Sequence, residues 1–132
     1  MEKKTAITAG IVLTLAVLGI ILLTYPSFQS GPTNLGPFAQ CLKDKGATFY
    51  GAFWCPHCAA QKKLFGNAVD KLPYVECSTP DAQGRTQICI DKGVETYPTW
   101  VFSDGSRLTG ETPLQTLADK TGCTVPASDQ QQ

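Results

Sequence analysis

The stretch FYGAFWCPHCAAQKK, residues 49–63, sets an aromatic, apolar run directly against two cysteines two residues apart, with Pro56 and the chain's one histidine, His57, between them. Such a pair can hold a metal, staple a fold or exchange electrons, and the compartment decides among these. β-branched and aromatic residues over "ATFYGAF" (47–53) predict a strand that runs straight into Trp54 and Cys55. Beyond the cysteines, Leu64, Phe65, Ala68, Val69 and Leu72 form an apolar stripe at helical spacing that Pro73 stops. Gly66 inside that stripe costs about 1 kcal/mol against Ala. The cysteines therefore stand where a strand hands over to a helix.

The compartment is read from the N-terminus. Residues 6–25, "AITAGIVLTLAVLGIILLTY", carry no charge, and about 20 helical residues at roughly 1.5 Å rise cross a hydrocarbon core of roughly 30 Å. This predicts a transmembrane anchor. A cleavable signal peptide is the rival, but "TYPSFQSG" offers no small-residue pair at a cutting distance. Lys3 and Lys4 precede the apolar stretch and no Lys or Arg follows until Lys43, so the positive-inside rule leaves residues 1–5 in the cytoplasm. Everything after Tyr25 is then expected in the periplasm or an equivalent extracytoplasmic or lumenal space. Residues 26–33 read as a Pro-, Gly- and Ser-rich linker, 34–123 as one small domain, and 124–132 as a polar tail. The formal net charge is +0, with both signs interspersed, so no basic stripe points to nucleic acid. Six cysteines in an exported chain of this size point to an oxidising compartment.

Working outward from the cysteine pair, Asn34 is expected to cap a helix in which Leu35, Phe38 and Leu42 share a face and Gly46 marks the stop. "YVEC" (74–77) is a short second strand, reached through a helix and hence parallel to the first. Residues 82–92 predict a weaker helix ending at Gly93. "TWVFS" and "RLTG", separated by Asp104-Gly105-Ser106, form a hairpin. Thr112 as cap and Pro113 at the first helical position open a last helix closed by Gly122. The order is strand, helix, strand, helix, strand, strand, helix.

That order is chemically suggestive. Only a thiolate attacks a disulfide. Cys55 falls where unpaired helix N–H groups and the positive dipole end favour an anion, and a protonated His57 would add charge. Pro56 lacks a donor that the first turn cannot use. Cys58, one turn on, is placed to resolve a mixed disulfide, and Trp54 beside Cys55 is expected to shape the active surface. A zinc site would need Cys77 or Cys89 as well, since one histidine leaves too few ligands.

With "WCPHC" between a strand and a helix, and "TYPT" (96–99) before a later strand, the chain resembles the thioredoxin fold over roughly Ala47–Gly122. That resemblance implies a mixed sheet of about four strands flanked by helices, catalytic Cys55 and Cys58, and a cis proline at Pro98 whose loop, with Tyr97, docks substrate. Unlike thioredoxins, "TFYGAF" holds no acidic residue to accept a proton from Cys58. The longer pattern "FYGAFWCPHC", "QKKLFG", "YVECS", "YPTW", "TGE" and "LQTLADKTG" resembles the thioredoxin-like domain of bacterial and plant vitamin K epoxide reductase family proteins. This implies a protein disulfide oxidoreductase that exchanges disulfides with folding substrates and works with a membrane-embedded, quinone-linked partner. No resident cofactor and no metal are expected.

Cys77 and Cys89 fit that resemblance as a structural disulfide, with a second redox pair feeding Cys55 as the alternative. Cys41 and Cys123 could join the domain's ends, against a free or intermolecular Cys41. Two other functions remain open at this point. One is an anchored reductase of the cytochrome-c-maturation type, and the other a copper or zinc carrier.

Overall fold

A computed structural model describes residues 34–127, which belong to one compact unit. Residues 1–33, including the expected anchor, and 128–132, within the expected tail, lie outside the described residues. Among the described residues no helix is long and apolar enough to cross a membrane.

The elements are helix α1 (Gly36–Asp44), strand β1 (Thr48–Gly51), helix α2 (Pro56–Lys63), a 3-10 helix (Gly66–Lys71), strand β2 (Tyr74–Glu76), helix α3 (Gln87–Asp91), strands β3 (Thr99–Val101) and β4 (Arg107–Thr109), and helix α4 (Leu114–Thr121). The sheet runs β2-β1-β3-β4. β1 is parallel to β2 and antiparallel to β3, and β3 is antiparallel to β4. A mixed four-stranded sheet with flanking helices fits the thioredoxin-like α/β fold.

Strand alternation sorts the core onto two faces. Phe49 and Trp100, partners in the β1–β3 register, stack at 5.1 Å between ring centroids, and Phe65 packs on Trp100 at 6.3 Å. Such aromatic pairs add roughly 0.5–1.5 kcal/mol each beyond the area they bury. Phe38 and Leu42 of α1 and Leu114 and Leu117 of α4 close the same cluster. The neighbouring β1 residue, Tyr50, points the other way and meets Cys77, Cys89 and Val94 in a smaller cluster beneath α3.

Four expectations are corrected. The stripe after the cysteines is not one α-helix: α2 stops at Lys63, Gly66 turns to φ 51°, and the chain continues as a 3-10 helix. Phe65, Ala68 and Leu72 still reach the core and Leu64 packs against it, because a 3-10 turn also returns side chains to one face every three residues, but Val69 is turned outward and 41 % exposed. The helix expected over 82–92 is confined to Gln87–Asp91, since Ala82 sits at φ 58° and Ser78 bridges to Arg85. Asn34 lies one residue outside the α1 cap position, where its Oδ1 accepts the Gly36 N–H at 3.1 Å. Pro113, not Thr112, occupies the cap position of α4, because the Thr112 backbone is bonded to Gln61 of α2.

Candidate active site

Cys55 is the N-cap residue of α2, with extended backbone (φ −82°, ψ 118°), and its sulfur accepts the Cys58 N–H at 3.4 Å. A helix N-terminus aims its unpaired donors at whatever sits on the cap, so a sulfur anion there meets both a donor and the positive end of the dipole. The Tyr97–Pro98 bond is cis. The Tyr97 carbonyl lies 3.8 Å from Cys55 Sγ, where the thiol donates to it. Strand β1 delivers the cysteines from one side and the loop before β3 delivers Tyr97 from the other.

Both thiols are free and enclosed: Cys55 is 6 % exposed and Cys58 1 %. Burial pushes the Cys58 thiol from an ordinary 9.0 up to about 12, with Cys55 adding to the rise while a backbone hydrogen bond involving Ala52 and the charge of Lys62 oppose it. The solvent-facing apolar surface is instead Phe53 and Trp54, both more than half exposed. The Trp54 indole N–H donates to Ser78 Oγ at 2.8 Å and its ring meets Tyr97 edge-on at 6.1 Å, which fixes it beside the cysteines.

His57 lies on the exposed rim of α2, and its Nδ1 pairs with Glu111 Oε1 at 2.6 Å. Glu111 falls within the "TGE" stretch, yet nothing local in the sequence links it to a histidine 54 positions away. The next residue is clamped: Gln61, fully buried on α2, donates to the Thr112 carbonyl at 3.0 Å and accepts the Thr112 N–H at 2.6 Å. That clasp holds Glu111 against His57.

On the inner side, register pairs Gly51 with Glu76 across β1 and β2. The Glu76 carboxylate accepts the Tyr74 hydroxyl at 2.6 Å, the Ser78 N–H at 2.9 Å and the Phe53 N–H at 3.2 Å. β1 holds no acid, but its parallel neighbour supplies one, and sequence reasoning missed it. Burial and the Glu76 hydrogen bond push the Tyr74 phenol upward, so it stays a donor.

Cys77 is joined to Cys89, and Cys41 to Cys123. Cys77 and Cys89 are both fully buried, which leaves neither available as a zinc ligand nor accessible to an incoming thiol. Among the described residues, no group of three or more His, Cys, Asp or Glu could hold a metal ion.

No family model matches the chain. A comparison with curated proteins finds 41% identity over 108 residues, 79% of this chain, with the protein called thiol-disulfide oxidoreductase LTO1 from Arabidopsis thaliana. The chain is similar to a thiol-disulfide oxidoreductase. It spans 28% of that relative's length. Similarity at this level supports a thiol-disulfide oxidoreductase.

Proposed function

We propose that the chain is a membrane-anchored, extracytoplasmic protein disulfide oxidoreductase that exchanges disulfides with folding proteins through Cys55 and Cys58. The observation that carries this reading is the placement of Cys55 as a helix N-cap with the Cys58 N–H on its sulfur and the Tyr97 carbonyl facing it. A sulfur in that position is poised to leave as a thiolate and to be attacked again. Trp54, Pro56 and His57 shape and tune the pair, and the Tyr97–Pro98 loop offers backbone to an extended substrate segment. Cys41–Cys123 and Cys77–Cys89 serve as structural bridges.

The finer reading follows the resemblance to the thioredoxin-like domain of the vitamin K epoxide reductase family. The apolar residues 6–25 tether the domain to the membrane, and a quinone-linked membrane protein of that type reoxidises the pair. The relative's larger remainder lies outside the 108-residue match, so this partnership stands on the motif pattern alone.

The test is the reduction potential of the Cys55/Cys58 pair against glutathione. A strongly oxidising pair, toward the roughly −120 mV end of the thioredoxin-fold range, fits an oxidase. A value near the roughly −270 mV of thioredoxin would favour the anchored reductase. Alkylation gives an independent check: iodoacetamide should modify Cys55 before Cys58 in the reduced protein, because Cys58 is the more buried and its thiol is pushed up to about 12. Preferential labelling of Cys58 would reverse the assigned roles.

A further inference from the structure

Disulfide exchange through this pair, the reading on which the inference rests, requires the inner cysteine to carry charge. With a substrate sulfur bound to Cys55, the Cys58 thiol gives up its proton to water or buffer, and the resulting thiolate attacks Cys55 Sγ. The Cys55–substrate bond breaks, the Cys55–Cys58 bond forms, and the substrate leaves as a thiolate that takes up a proton. In the opposite direction Cys58 is the leaving thiolate. Either way a negative charge develops on a sulfur that is 1 % exposed.

We propose that Lys62 is the positive charge that stabilises the Cys58 thiolate in this step, and that the Tyr74–Glu76 pair holds Lys62 in position. Cys58 and Lys62 lie four residues apart on α2, so both project from one helix face. Lys62 is half-buried where its neighbour Lys63 is exposed, and its Nζ stands 3.4 Å from the centre of the Tyr74 ring. That ring is next to the thiol: a Cβ on Gly51 would come within 2.9 Å of Cys58 Sγ and 3.0 Å of Tyr74 Cε2. The bare α-carbon of Gly51 thus admits sulfur and ring edge side by side. The ring cannot swing away, because its hydroxyl is bonded to Glu76, whose other oxygen is bonded to the Ser78 and Phe53 N–H groups.

The groups acting on Cys58 are Cys55 and Lys62, of α2 and its cap, and the Ala52 backbone just after β1. Tyr74 of β2 and Tyr97 of the loop before β3 feel a Cys58 charge in turn. Lys62 is the cation among them and it favours the thiolate. An ordinary surface lysine resting on an aromatic ring would share the 3.4 Å contact but would have no effect on a thiol. The two roles part company in kinetics.

The experiment follows the full chain, reduced at Cys55 and Cys58, after addition of the uncharged disulfide dithiodipyridine. Release of the first pyridinethione reports attack by Cys55, and release of the second reports resolution by Cys58. Lys62→Met keeps an unbranched stem over Tyr74 and removes the charge. It should slow the second phase about tenfold at neutral pH, equivalent to about one pKa unit on Cys58, and move that phase's pH profile upward, with the first phase within about twofold of wild type. Lys62→Arg should restore most of the rate. Tyr74→Phe, which keeps the ring and frees it from Glu76, should fall between the two. A Lys62→Met protein with an unaltered second phase, or with both phases slowed equally, overturns the proposal. A wild-type protein that releases only one pyridinethione would sink the dithiol reading itself, a result distinct from either.

Discussion

At the scale of single residues, the two cysteines differ by their surroundings. Cys55 has a helix terminus and the Tyr97 carbonyl; Cys58 has burial, which holds its thiol at about 12 against an ordinary 9.0. A group whose native pKa is raised stabilises the fold while it stays protonated, so its contribution is complete below about pH 9. It is lost as pH rises toward 12, because the unfolded chain ionises first. The reduced wild-type protein should therefore lose stability above about pH 9 at up to about 1.4 kcal/mol per pH unit relative to reduced Cys58→Ala, which has no such thiol. Denaturant titrations across that range check it, and parallel pH profiles would contradict the burial of the thiol. Gly51 is a second single-residue constraint. Gly51→Ala would drive a methyl against Cys58 Sγ and the Tyr74 ring, and overpacking of this kind costs about 1–3 kcal/mol. The same variant should also slow resolution by Cys58, measured by the release of the second thiol product.

Between elements, the site depends on contacts that connect distant segments of chain. Gln61 joins α2 to the turn before α4 through both the N–H and the carbonyl of its side-chain amide, fully out of solvent. Gln61→Ala leaves the Thr112 N–H and carbonyl without partners, and with each orphaned buried group costing about 1–3 kcal/mol, unfolding in urea should show a loss of about 2–6 kcal/mol. A loss under 1 kcal/mol would mean that water takes over both bonds. This clasp also marks the boundary of what the sequence discloses. The strand running into Trp54-Cys55, the parallel "YVEC" strand, the hairpin at Asp104-Gly105-Ser106 and the last helix are all written in local periodicity and turn residues, which act over a few positions. The break at Gly66 was not legible, since a stripe repeating every three or four residues suits an α-helix and a 3-10 helix alike. Gln61, Lys62, Glu76 and Glu111 escaped for a different reason. Each gains its role from a partner on another element, and polar residues in "AAQKK", "YVEC" and "TGE" look like solvated positions until the register is known. Glu76 carried one usable signal: an acid directly before a buried cysteine in a strand parallel to the redox strand must come level with that strand's end, here at Gly51.

For the whole molecule, closure comes from the Cys41–Cys123 bridge, which spans 82 residues from α1 to the segment after α4. Constraining so long a loop in the unfolded chain stabilises the fold by about 4 kcal/mol in the chain-entropy model. The double variant Cys41→Ala/Cys123→Ala should lose about that much in denaturant titration and keep its reactivity at Cys55. The bridge also bears on the chemistry, because it and Cys77–Cys89 leave Cys55 and Cys58 as the free thiols of the described residues. A pair that has given its disulfide to a substrate is spent after one turnover and can act again only after thiol-disulfide exchange with an oxidised partner. If residues 6–25 tether the domain, its effective concentration toward a membrane-embedded oxidase is raised by confinement to the same surface. In the partnership proposed above, exchange with that oxidase would pass through a mixed disulfide on Cys55, which Cys58 would resolve. Cys58→Ala should therefore accumulate a disulfide-linked adduct with a small multi-helix membrane protein of the vitamin K epoxide reductase type, visible as a band that collapses on reduction. Deleting that protein should leave the wild-type Cys55/Cys58 pair mostly reduced in cells, measured by thiol trapping and gel shift. Should the pair stay oxidised after the deletion, or the adducts contain only cytochrome-maturation proteins, electrons run the other way and the domain is an anchored reductase.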